Sequence, residues 1–256
     1  MINLIKAELF KLKRNHTFWV LMGVVTAVYT LANYLVIIGW WRLNNKVFEG
    51  VGLKEYNAMT MMTVPIIFNL IISTLAGFFI NADYATSTIK NQILSGNKRS
   101  HIYLAKLIVF SLGSVITAVI LPIVTAICTT LLLGYSKIYT SMAVMYLLRV
   151  FSLYTLIIIA YSSIIMLIAS LTKESGKTII ITIIATVILF AIEKLLVPNS
   201  EIVKVIYENS IFYQIYEAFS PIVTFNKIGK NILISAATFI IITYLGSMIF
   251  KRKEIK

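Results

Sequence analysis

Apolar residues along this chain fall into long runs separated by short polar, mostly basic breaks. Six runs stand out, at about 18–41, 62–82, 105–133, 147–171, 178–197 and 231–250. Some twenty helical residues rising ~1.5 Å each span ~30 Å, the thickness of a bilayer's hydrocarbon. The pattern therefore predicts an all-α, polytopic membrane protein with six transmembrane helices in a single domain, residues 1–256. Trp19 marks one end of the first run and Trp40 and Trp41 the other, with Tyr34 nearby. Such rings favour the two membrane interfaces. The third run is longer than it needs to be and contains Pro122, so a tilt or kink is expected there. No internal repeat is visible, so the inverted-repeat signature of many secondary transporters is missing.

Ahead of the first run, residues 1–16 carry Ile2, Ile5, Leu9 and Leu12 at three- and four-residue spacing, with Lys6, Lys13 and Arg14 pointing elsewhere. This is an amphipathic helix suited to the membrane interface, with Ile5, Leu9, Leu12 and Lys13 as its key positions. It reads either as a surface anchor that sets topology or as an elbow that helps form a docking surface. No small-residue cleavage site follows the next apolar stretch, so the first span is expected to remain in the mature protein.

The break at 84–100 is more than a charged loop. Asp83 ends the second run. Thr86 or Ser87 can cap a short helix whose Ile89 and Ile93 share a face, with Lys90 offset, and Gly96 can end it in a left-handed cap. Two apolar residues displayed there suggest insertion into a partner's groove. The break at 198–230 is long and aromatic, and it is expected to fold back onto the bundle or to contact substrate.

Composition agrees. The chain has 256 residues, 59% hydrophobic and only 13% charged, fewer charges than a soluble domain carries. Its net charge of +13 lies between apolar runs, where anionic lipid is a fitter neighbour than nucleic acid. With the N-terminus inside, the inner side holds 14 of the 23 basic residues and four of the ten acids. The positive-inside rule then places both termini in the cytoplasm. The single cysteine, Cys128, sits within an apolar run and reads as packing.

These features resemble the ABC-2 type permeases: a basic amphipathic N-terminal helix, six spans, and a loop after span two carrying Thr88, Ile89, Lys90, Ile93, Leu94, Gly96, Arg99 and Lys106. The sequence departs from relatives at Asp83 and at Ala85-Thr86, where they often have Glu and a Gly-Thr pair. The resemblance implies that the loop is a cytoplasmic coupling helix docking on an ATP-hydrolysing subunit through Thr86, Ser87, Ile89, Lys90, Ile93, Leu94, Gly96 and Arg99. It also implies ATP and Mg in that partner rather than in this chain, and pairing with a second permease copy or paralogue in the bacterial cell membrane. It likens residues 198–230 to the extracellular or re-entrant helices that these permeases place between spans five and six. Length and composition look most like the small Gram-positive permeases that export peptides, in bacitracin or lantibiotic self-protection and in staphylococcal phenol-soluble modulin export. The cargo implied is a hydrophobic or amphipathic peptide, with antimicrobial-peptide resistance and virulence as the setting.

No G-x-x-x-x-G-K-[ST] loop occurs, so the chain is not expected to hydrolyse ATP itself. Ser175-Gly176-Lys177-Thr178 lacks the first glycine and a preceding strand. The two histidines, His16 and His101, lie at boundaries, and no acid falls centrally in a run, which disfavours a proton relay. Glu193 and Lys194, near the outer end of the fifth run, are expected to reach water. The rival reading is a membrane immunity or scaffold protein that binds a peptide without ATP.

Overall fold

A computed structural model describes residues 1–37, 69–133, 141–220 and 223–252. Among them every regular element is helical. Helix α1 (Ile2–Arg14) turns at Asn15 into α2 (His16–Ile37). Asn15 accepts the amide of Phe18 at 3.1 Å, satisfying one free donor at the new helix start. The described part of α3 covers 69–79, followed by α4 (Asn81–Ala85) and α5 (Thr88–Leu94). Then come α6 (Arg99–Leu133), α7 (Ser141–Thr172) and α8 (Ser175–Ala191). Trp40, Trp41 and the start of the second predicted span lie outside the described residues. So do the side chains of Tyr34, Pro122 and Cys128; the backbone of α6 runs through Pro122 as one helix.

Among the described residues four helices are long and apolar enough to cross a membrane: Arg99–Ile120 within α6, Leu148–Thr172 within α7, Ser175–Asn199, and Phe225–Arg252. The helices overrun the predicted apolar runs at several ends. Polar interface residues such as Arg99–His101 and Asn226–Lys227 are good helix formers or neutral ones, and the backbone ladder continues through them. After Ala191 α8 widens into a π-helical turn (Ile192–Leu196) and tightens into a 3-10 turn containing Pro198, which cannot extend the ladder.

Residues 198–230 hold two short helices, α9 (Glu201–Glu208) and α10 (Ile211–Phe219), capped by Ser200 and Ser210. α10 folds back and buries Ile211, Ile215, Ala218 and Phe219 against α7 and α11 (Phe225–Arg252). Tyr154 of α7 meets Phe219 edge-on, with ring centroids 5.1 Å apart.

α6 and α7 form the centre of the bundle: two thirds of the apolar window of α6 is buried, against 6% of that of α8. α6 and α11 approach closely at Gly246, where an added Cβ would collide with the Tyr103 hydroxyl. α8 is fixed to α3 and the start of α4 by polar staples. Ser175 Oγ donates to Gly77 O at 2.6 Å, Asn81 Nδ2 donates to Thr178 Oγ1, and Asn69 Nδ2 donates to Thr182 O at 3.1 Å. The Ser-Gly-Lys-Thr stretch is thus the N-terminus of α8, with Thr178 fully buried in a helix contact.

Candidate functional site

The basic end of the bundle gathers α1, α4, α5, the start of α6, the α7–α8 turn and the end of α11. Its centre is a cluster of four charges, three buried and the fourth, Lys11, at its edge. Lys106 of α6 and Glu8 of α1 are each only 1% exposed, and Lys106 Nζ lies 2.9 Å from Glu8 Oε1. Lys106 also pairs with Asp83 of α4. Lys11, one turn after Glu8, bridges the same two acids at 2.8 Å each. Burial pulls the Lys11 pKa down, but Asp83 and Glu8 together outweigh it and hold the ammonium above its ordinary value. Two cations and two anions balance. That is how a low-dielectric site tolerates charge at all.

Asp83, at the end of the second run, and Lys106, in the motif that follows it, face each other beneath α5, because α6 begins seven residues before Lys106 and carries it inward. The face of α1 is rotated from the expected one. Leu4, Ile5, Glu8 and Leu12 look inward, while Ile2 and Leu9 look out with Phe10. Among the predicted interface positions, Leu12 is buried against Gly113 of α6, Ile5 is half-buried, and Leu9 and Lys13 are exposed. Two apolar arcs at different angles share α1, and the spacing of its apolar residues fits either. The signal available was Glu8 itself, an acid one turn from Leu4 and Leu12 in an otherwise basic segment.

α5 rests on the cluster. Gln92 Nε2 donates to Glu8 Oε1 at 3.1 Å. Ile89 is 1% exposed and belongs to the core, and Ile93 packs beside it. Ile89 is therefore not displayed to a partner: the helix needs it to seat on the bundle. The residue that projects is Leu94, 76% exposed, with Lys90, Asn91 and Lys98 exposed around it. The expected side-chain cap is absent as well. Ser87 sits before the helix at φ 55 with no cap hydrogen bond, and Thr86 donates to Ala82 O at 2.9 Å. A left-handed residue aims its hydroxyl away from the amides it would cap. Gly96 ends the segment at φ +81, the stop that a glycine permits. Arg99 Nη1 then donates to Lys251 O at 3.0 Å, tying the start of α6 to the end of α11.

Beside α5 a cleft of about 250 Å³ opens between α4–α5 and the α7–α8 turn, lined by Tyr84, Ser87, Lys90, Lys173 and Glu174 among others. At the opposite end Glu193 does not stand free in water. It accepts from Tyr207 at 2.7 Å and pairs with Lys194 at 2.9 Å. Burial, and then Glu193, push the Tyr216 hydroxyl up to about 12. Among the described residues no group of His, Cys, Asp or Glu is arranged to hold a metal ion.

An apolar helical bundle with membrane-length helices and a basic end braced by a neutralised charge cluster defines a multi-pass membrane protein. The model of the ABC-2 family transporter proteins matches residues 4–189, from α1 through α8, and the chain belongs to that family. No curated protein and no solved structure matches it significantly. The chain is a multi-pass cell-membrane protein and a permease subunit of an ABC transporter. It is a transport component rather than a catalyst, and the family implies a separate ATPase subunit.

Proposed function

We propose that the chain is one half of an ATP-driven exporter of hydrophobic or amphipathic peptides. It crosses the membrane six times, with both termini in the cytoplasm, and pairs with a second copy or a close paralogue. ATP and Mg are held by the partner ATPase, which docks on α5. The observation that carries this reading is how α5 is mounted. A seven-residue helix exposes Leu94 and Lys90 outward, with Lys98 just beyond its glycine stop, while Gln92 and Ile89 tie it inward to Glu8 and the core. A force applied to Leu94 reaches α1, α4 and α6 through one cluster, which is what coupling to a moving ATPase requires. The basic surface around α1 and α5 supports the cytoplasmic placement. The mainly apolar spans support a membrane-borne peptide as cargo.

The test uses the tagged protein purified in mild detergent from its native membrane, followed by transport in inside-out vesicles. Wild type brings down a Walker-motif ATPase, and the vesicles accumulate a labelled amphipathic peptide when ATP is added. Leu94→Asp keeps insertion and thermal stability but loses the ATPase. Normal ATPase recovery with Leu94→Asp removes the docking assignment. Recovery of the ATPase without peptide uptake removes the peptide cargo. A protein that binds peptide with no ATPase restores the scaffold reading.

A further inference from the structure

Buried serine and threonine hydroxyls in membrane helices ordinarily fold back onto the carbonyl one turn earlier. That holds in the centre of this bundle. On α6, Ser114 donates to Phe110 O at 2.9 Å and Thr117 to Gly113 O at 2.8 Å. On α7, Ser162 and Ser170 do the same, and on α8 so do Thr182 and Thr186. α11 departs from the rule. Ser235 Oγ and Thr243 Oγ1 are buried with no hydrogen-bond partner, and so is Asn231 Oδ1. Asn231 and Ser235 are only 1% and 2% exposed.

The three residues fall within about 120° of one another around the helix, on the side that carries Gly246 and Phe250 into the bundle. At the α10 end the row is continued by Gln214, whose Oε1 is unpaired while its backbone O accepts from Asn231 Nδ2 at 3.0 Å. At the basic end it is continued by the Tyr103 hydroxyl, buried and unpaired against Gly246. From residue 231 to 246 the helix rises roughly 22 Å, most of a hydrocarbon thickness.

We infer that this seam between α11 and the α6–α7 core binds water, as a file of molecules hydrogen-bonded to Gln214, Asn231, Ser235, Thr243 and Tyr103. The chemistry is that of small neutral donors and acceptors, with no charge to hold an ion. Hydroxyls that forgo their own helix's carbonyls, and amide oxygens that no donor faces, are free to bind a mobile partner. Water re-forms its bonds in any register, so the seam itself does not fix the register of α11; the fixed tie is the bond from Arg99 Nη1 to Lys251 O at its basic end. The exporter reading does not depend on this inference, and the inference does not depend on the cargo.

Silver ion tests it, being close to water in size and reaching thiols through aqueous paths. Ser235→Cys and Thr243→Cys are made in a Cys128→Ala background, with Ile240→Cys on the exposed apolar face as the control. Membranes holding each variant with its ATPase are treated with Ag⁺ and quenched, and the remaining thiols are counted after denaturation. The two seam thiols are expected to react at least about tenfold faster than the lipid-facing one, since the hydrocarbon holds no water. Equal, slow reaction at all three positions overturns the proposal. Should a cysteine variant fail to insert, Ser235→Ala and Thr243→Val decide instead. A seam that binds water loses bonds and melts at the same temperature or lower, whereas a rise in melting temperature for both overturns the proposal.

Discussion

Glu8 and Lys106 are ninety-eight positions apart and meet at 2.9 Å in a site closed to water. Removing one partner of such a pair strands the other as an uncompensated charge, which costs about 3–5 kcal/mol. Lys106→Met is therefore expected to lower the thermal midpoint of the detergent-solubilised protein sharply. Lys13→Met, on the exposed side of the same α1 helix, is expected to leave it unchanged. A small shift for Lys106→Met would mean that the cluster is hydrated. The pH dependence has a definite sign. Lys11 and Tyr216 both have raised pKa values in the fold. What they contribute is complete below the ordinary values of 10.5 and 10.0 and is lost as pH climbs through the raised ones. Unfolding midpoints should accordingly be insensitive to these two groups near neutrality and fall in alkali, as a pH series would show. Gly246→Ala would place a methyl carbon against the Tyr103 ring and hydroxyl. Overpacking of that kind costs about 1–3 kcal/mol, measurable as reduced thermal stability.

Among the elements, α5 separates what a linear pattern can reveal from what it cannot. Its existence, its glycine stop and its basic flank were legible, because each depends on residues within one or two turns. Which side faces outward was not. Ile89, Ile93 and Leu94 are equally apolar, and only docking against Glu8 and the core decides that Leu94 is left in the open. The same holds for α1, where two apolar arcs share one helix and Glu8 marks the inner one. Ile89→Asp and Leu94→Asp should therefore fail in different ways. The first buries a charge in the core and is expected to reduce the folded, membrane-inserted fraction; the second is expected to preserve folding and lose the partner. Size-exclusion profiles of the two variants, with and without the ATPase, distinguish these outcomes. Equal behaviour would mean that α5 lifts off the bundle in the membrane.

At the scale of the whole molecule, burial is uneven. α6 and α7 are enclosed, while the apolar windows of α8 and α11 are only 6% and 11% buried. The run lengths made four membrane-length helices readable among the described residues, in α6, α7, α8 and α11. The centre could not be read, because lipid-facing and core-facing stretches in a bilayer are equally rich in Ile and Leu. The layout predicts opposite accessibility for the two ends. A membrane-impermeant thiol reagent on intact cells carrying the cysteine-free background should label Lys204→Cys, and should reach Lys98→Cys only after the cells are opened. The reverse pattern would invert the topology.

The distance in sequence between Glu8 and Lys106 also has a consequence for biosynthesis. A ribosome adding about 5–20 residues per second takes some 5–20 seconds to go from one to the other. During that interval α1 has no buried cation from α6 to receive its carboxylate, so it must wait in the headgroup region on its outer apolar face, Ile2, Leu9 and Phe10. Chains cut short before α6 would keep that helix unseated and display both acids, a mark by which membrane proteases could tell an unfinished subunit from a finished one.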